Sequence, residues 1–146
     1  QIFKVAHEEY NRSSDFFQRE IRDYEYYAIL DIAMEALEYN DTVLINAPFT
    51  DEIRDDDYLN KLRERLTKKD AELVVVWVNT DIEVCHQRMI KRNSDRDTWK
   101  LEHWDEYVAS QNYNAPTNIK ELIIFENSSE EQFEQSLKDT VKKLRG

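Results

Sequence analysis

Hydrophobic positions in the first part of the chain follow the period of an α-helix. Between Ile21 and Leu37 apolar residues recur at helical spacing, and Asp31 and Glu35 lie on the opposite face. We expect one long helix over residues 16–39, ending where two polar residues interrupt the pattern. An acidic stretch then leads into a second helix, on which leucines recur at positions 59, 62 and 66.

Short apolar runs alternate with the predicted helices, at residues 42–47, 73–78 and 121–125. The run at 73–78 is apolar at every position, which is typical of a strand covered on both faces in a parallel sheet. This alternation predicts an α/β fold, a three-layer α/β/α arrangement with a parallel sheet, in a single domain over residues 1–146. Ligands of such sheets bind just beyond the carboxyl ends of the strands.

The later helices are predicted from their starting residues. Thr80 followed by Glu83 forms a capping box, with Thr80 as the N-cap of a helix that ends near Arg92. A polar loop and a further helix around Trp104 follow. The serine pair at 128–129 caps the last helix.

Composition and charge exclude several classes of function. The formal net charge is −11 and the sequence pI is about 4.7, which argues against a protein that binds the nucleic-acid backbone, since such a protein needs a basic face. The same charge disfavours anionic membranes, and no apolar run reaches the ~20 residues of a membrane span. The single cysteine, Cys85, allows no internal disulfide. We therefore expect a cytoplasmic protein that binds neither nucleic acid nor membrane.

Three arginines form the strongest candidate site. Arg88 and Arg92 lie four residues apart on one helix face. Arg96 follows in the next loop, residues 93–97, which we call the arginine loop. Guanidinium groups are permanently charged forked donors, and three of them together suit a polyphosphate. A second interpretation is that Arg88 and Arg92 pair with acidic side chains of this acidic chain.

The other candidate side chains each have a structural alternative. Trp99, Trp104 and Tyr107 follow the arginine loop and could stack on a ligand ring, although aromatic residues at helical spacing commonly form core. Cys85 is expected to be a small core residue. The histidines lack the spacing of a zinc site.

The order of these segments resembles the P-loop kinase-like ATPases, which include small-molecule kinases of the gluconate kinase and zeta-toxin type. The resemblance rests on the strands at 42–47 and 73–78, followed by the helix with Arg88 and Arg92. It implies that Arg88, Arg92 and Arg96 close over the nucleotide phosphates, and that Arg96 stabilises charge during transfer. It further implies ATP and Mg²⁺ as cofactors and a small hydroxylated molecule as the acceptor.

Two positions depart from this family. Asn46 stands where the family most often has an acid that helps hold magnesium, and an amide is a poorer ligand for Mg²⁺ than a carboxylate. Asp51 could replace that acid as ligand or act as the base toward the acceptor hydroxyl. Its alternative is a solvated loop carboxylate.

The family's glycine-rich phosphate loop is also missing, since the one glycine of the chain is Gly146. We therefore expect the chain to be the downstream part of a kinase-like domain, inactive by itself. The alternative is a non-catalytic α/β binding or regulatory module that has lost this loop. A third hypothesis is an interaction protein unrelated to nucleotides.

The absent loop has a structural consequence. In the family the strand before the loop is central, flanked by the strands that resemble 42–47 and 73–78. We therefore expect a slot between these two strands, with unpaired backbone groups on both sides. Direct pairing of the two strands, strand exchange or a homo-oligomer would fill it.

Overall fold

The computed structural model describes residues 15–120 and 122–145. In chain order its elements are the helices α1 (Asp15–Glu20) and α2 (Arg22–Ala36), a first 3-10 turn (Glu52–Arg54), helix α3 (Asp56–Thr67), strand β1 (Val76–Asn79), helix α4 (Ile82–Arg92), a second 3-10 turn (Asp95–Asp97), helices α5 (Thr98–Glu102) and α6 (Trp104–Ser110), strand β2 (Ile123–Glu126) and helix α7 (Glu130–Leu144).

The described residues fall into two compact units. The first comprises the residues up to 48 together with 61–72, and the second comprises 49–60 together with the residues from 73 onward. Helix α3 contributes its first five residues to the second unit and the remainder to the first. A single domain over the whole chain stays a prediction.

The first unit is helical. Among its described residues, the buried side chains are Phe17, Leu30, Ala33, Met34 and Leu66. Two ion pairs connect α2 and the residues after it to α3 and the turn that follows: Arg65 to Asp31 at 2.7 Å, and Lys69 to Glu38 at 2.5 Å. Exposed ion pairs of this kind contribute about 0–1 kcal/mol each, so the buried apolar side chains hold the unit together.

The predicted helix over 16–39 is interrupted and shorter. Ile21 leaves helical geometry between α1 and α2, with φ −124° and ψ −39°. Helix α2 ends at Ala36, whose carbonyl oxygen accepts a hydrogen bond of 2.8 Å from the Asn40 side chain. Since that bond satisfies an end carbonyl, Asn40 acts as the stop signal, as the sequence indicated.

The predicted strand at 42–47 is wrong, because these residues form no regular element. Leu44 is 84% exposed and Ile45 is also exposed. A strand needs a neighbour for its backbone groups, and the sheet described here consists of β1 and β2 alone. Since 42–47 is not a strand, the expected slot between two strands, one of them at 42–47, is not formed.

The second unit contains a parallel two-stranded sheet, which confirms the α/β class. The register places Val76 opposite Ile123 and Asn79 opposite Glu126. Helix α7 packs on β2, and Ile123 is buried. Val76 and Val78 point to the same face as Ile123 yet remain exposed. The expectation that this strand is covered on both faces is thus wrong.

No helix in the described part of the chain is both long enough and apolar enough to cross a membrane.

Candidate functional site

The carboxyl ends of β1 and β2 are joined by side-chain hydrogen bonds. Asn79 Nδ2 donates to Glu126 Oε2 at 2.9 Å, and the Asp81 amide donates to Ser128 Oγ at 2.8 Å. The Asn127 amide also donates to the Asn79 carbonyl oxygen at 2.8 Å. The segments that follow β1 and β2 therefore meet at the edge of the sheet where ligands of parallel sheets bind.

Helix α4 starts at this edge. Its N-cap is Asp81 and not the predicted Thr80: Asp81 Oδ1 accepts from the amides of Glu83 at 2.9 Å and Val84 at 3.3 Å. The shift of one residue follows from the extended conformation of Asp81, which aims its carboxylate at the free amides. Helix α4 ends at Arg92, as predicted, and Asn93 adopts the left-handed conformation with φ 48°.

A buried carboxylate fixes the arginine loop to the end of α4. Asp97 is 0% exposed, and its Oδ2 accepts from Arg92 Nε at 2.8 Å and from the terminal nitrogen Nη2 at 2.6 Å. Lys100 Nζ lies 4.0 Å from Asp97 Oδ1, which is buried and has no hydrogen-bond partner among the described residues. Arg92 is therefore committed to a structural contact with the loop that carries Arg96.

The other two arginines remain available. Arg88 and Arg96 are exposed, and neither forms an ion pair with another of the described residues. Of the three predicted phosphate-binding residues, the structure thus leaves two free to reach a ligand, and the third positions the loop.

Trp99 follows Arg96 by three residues. The second 3-10 turn continues directly into α5, so residues 96 and 99 are one helical turn apart. Trp99 is 52% exposed and stacks on His103 with ring centroids 4.8 Å apart. Trp104 instead stacks on His86 of α4 at 4.0 Å. Trp104 therefore packs α6 against α4, and Trp99 retains exposed ring surface.

Burial also affects two titratable groups in this unit. Partial burial raises the pKa of Cys85, with a smaller opposing effect from the Arg88 guanidinium and a raising effect from Asp81. Burial, aided by neighbouring Tyr107, raises the pKa of Tyr113 to about 12. Both groups therefore stay protonated near neutral pH. Cys85 is only partly buried, so it is not the core residue that the sequence predicted.

Cys85 provides a direct test of the electrostatics around α4. We expect its reaction with a disulfide reagent to be slower in the folded chain than in urea, since less thiolate is present when the pKa is raised. Arg88→Ala should raise the pKa further, because the guanidinium favours the thiolate. The pH dependence of the reaction rate measures both effects. A midpoint that falls in Arg88→Ala would contradict this placement of Arg88.

The remaining predicted site residues lie elsewhere. Asn46 is exposed, belongs to the first unit and follows no strand. Asp51 is exposed and precedes the first 3-10 turn in the second unit. Within residues 15–120 and 122–145, no cluster of three or more His, Cys, Asp or Glu side chains could hold a metal. Asn46 and Asp51 therefore belong to no ligand cluster for Mg²⁺ in the described part of the chain. Binding of Mg²⁺ stays a prediction.

Two structurally important residues escaped the sequence reasoning. Asp97 was assigned only to a polar loop, although its spacing of five from Arg92 across a helix end was a usable signal. Arg54 connects three segments: it donates to the carbonyl oxygens of Thr50 and Asn114, and its guanidinium lies 5.1 Å from the ring centroid of Trp77. No local pattern reveals the role of Arg54, because two of its three partners, Asn114 and Trp77, are distant in sequence.

No family model, curated protein or solved structure matches this chain.

Proposed function

We propose that the chain is the phosphate-contacting part of an ATP-dependent phosphotransferase that acts on a small hydroxylated acceptor. The observation that carries the proposal is the pair of exposed arginines, Arg88 and Arg96, next to a loop that Arg92 and Asp97 hold in place. A loop that is already held in place loses less conformational freedom when Arg96 binds phosphate than a mobile loop would.

Each residue has a defined part in this proposal. Arg88 and Arg96 contact the phosphate oxygens of ATP, and Arg96 is the residue that would stabilise charge developing on the transferred group. Arg92 acts indirectly, as a positioning residue, through its bond to Asp97. Trp99 offers a half-exposed ring on which an aromatic base can stack. Bound ATP would supply the phosphoryl group.

The proposal requires a glycine-rich phosphate loop that this sequence does not contain. No residue before Gly146 is a glycine, so a glycine-rich loop around the terminal phosphates would have to come from another segment or another chain. A three-layer α/β/α fold for the whole assembly and a place in the cytoplasm belong to the same proposal. Asp51 is the proposed base toward the acceptor hydroxyl, supported only by its exposed position.

Phosphate binding by this chain can be measured directly. We expect weak binding of Mg-ATP and of tripolyphosphate in an NMR chemical-shift titration, with shifts concentrated at residues 88–99. Arg96→Ala and Arg88→Ala should each raise the dissociation constant about three- to tenfold, because a charge-assisted hydrogen bond is lost.

The matched control for these variants is Lys61→Ala, which removes one exposed positive charge from the first unit. It should leave the titration unchanged. Equal weakening in all three variants would show only general charge attraction. Absence of binding to the unmodified chain would contradict the proposal. Stronger binding of ATP than of tripolyphosphate, lost in Trp99→Ala, would support base stacking.

A further inference from the structure

We propose that two copies of this chain associate through helix α7, packed side by side and antiparallel about a twofold axis. This inference does not depend on the proposed function. It concerns a surface of α7 that is separate from the arginine loop and from the strand edge of β1.

The starting observation is that α7 directs an apolar stripe outward. Leu137, Val141 and Leu144 are 46%, 37% and 46% exposed, and their spacing of four and three residues places them on one helix face. The buried residues of α7 are instead polar, Ser136 and Thr140. Such an arrangement is the reverse of what an ordinary surface helix shows, so the stripe is suited to contact with another apolar surface.

The charges along α7 indicate that the partner surface is α7 of a second copy. The first half of the helix is acidic, and the end of the helix is basic: the acids are Glu130, Glu131 and Glu134, and the bases are Lys138, Lys142, Lys143 and Arg145. The one acid in the second half, Asp139, accepts a hydrogen bond from Gln135 at 3.0 Å. An antiparallel second copy places the acidic half of each helix beside the basic half of the other, whereas a parallel copy places like charges together.

The same surface also satisfies the requirement of twofold symmetry. In an isologous dimer one patch must be complementary to itself. Leu137 and Val141 line an open concavity on α7 together with Lys138, Lys142 and Arg145. In the antiparallel pair the leucine and valine side chains of the two copies meet, and the acidic half of one helix lies against this basic rim. A stripe of three residues predicts a weak dimer, with a dissociation constant on the order of 10 µM.

Sedimentation equilibrium of the full chain tests the proposal. We expect a concentration-dependent shift from the 17.6 kDa monomer toward twice that mass. Leu137→Glu should raise the dissociation constant about tenfold or more, because it places a charge at the centre of the interface. Gln135→Glu introduces the same residue on the other side of the helix and should change the dissociation constant little.

Charge reversal tests the antiparallel arrangement separately. Glu134→Lys should weaken the dimer several-fold, and adding Arg145→Glu to the same chain should restore it. Both variants alter exposed residues, so they remain informative even if Leu137→Glu fails to fold. A chain that stays monomeric at all concentrations, a dimer indifferent to Leu137→Glu, or a double reversal weaker than the single one would overturn the proposal.

Discussion

Replacing Leu59 with alanine is expected to lower the free energy of unfolding by about 2–5 kcal/mol. Leu59 is 1% exposed and belongs to the first turn of α3, so truncation leaves a cavity in addition to the loss of apolar burial. A domain of this size is typically stable by about 5–15 kcal/mol. The substitution should therefore remove a large share of the free energy of unfolding. Urea denaturation measures this loss as a lower midpoint.

The matched control is Leu44→Ala. Leu44 is 84% exposed, so the same chemical change should alter the unfolding free energy by less than about 0.5 kcal/mol. If residues 42–47 formed a buried strand, as their apolar pattern predicts, Leu44→Ala would instead destabilise the chain about as much as Leu59→Ala. The pair of variants therefore tests the described position of 42–47 as well as that of Leu59.

Replacing Asp97 with alanine is expected to cost about 1–3 kcal/mol, because Arg92 loses the acceptor of both its hydrogen bonds. The cost is limited since the Arg92 side chain is 46% exposed and can turn to water. The backbone amide of residue 97 donates to the Ser94 carbonyl oxygen at 2.8 Å. Hydrogen exchange at this amide should be faster in Asp97→Ala than in the unmodified chain.

Asp95→Ala is the control for this effect, since Asp95 lies in the same 3-10 turn but is exposed. It should leave both stability and exchange nearly unchanged. Asp97→Ala should in addition weaken phosphate binding, although Asp97 carries the wrong charge to touch a phosphate. Unchanged binding in Asp97→Ala would show that the loop does not position Arg96.

Local sequence patterns predicted the helices well where the start and stop signals lie in the same segment. The end of α4 at Arg92 and the start of α7 after Ser129 were both recovered, and Ser129 Oγ accepts from the Gln132 amide at 3.2 Å. Capping is a contact between residues two or three apart, so the sequence around it contains the necessary information. The break at Ile21 has no comparable local cause and was missed.

The strands were predicted less well, because an apolar run does not specify its neighbour. The runs that became β1 and β2 are paired in parallel, whereas the similar run at 42–47 forms no strand. β-structure depends on backbone partners distant in the chain, and these are not visible in a short window.

The same distinction applies to the arginine site. The sequence by itself determined that Arg88 and Arg92 share a helix face and that Arg96 follows, since helical spacing is a local property. The tertiary structure decided that Asp97 is buried and that Arg92 is its partner, while Arg88 and Arg96 form no ion pair among the described residues. The physical reason is burial: a carboxylate removed from water must find a cation, and which cation it finds depends on how the chain packs.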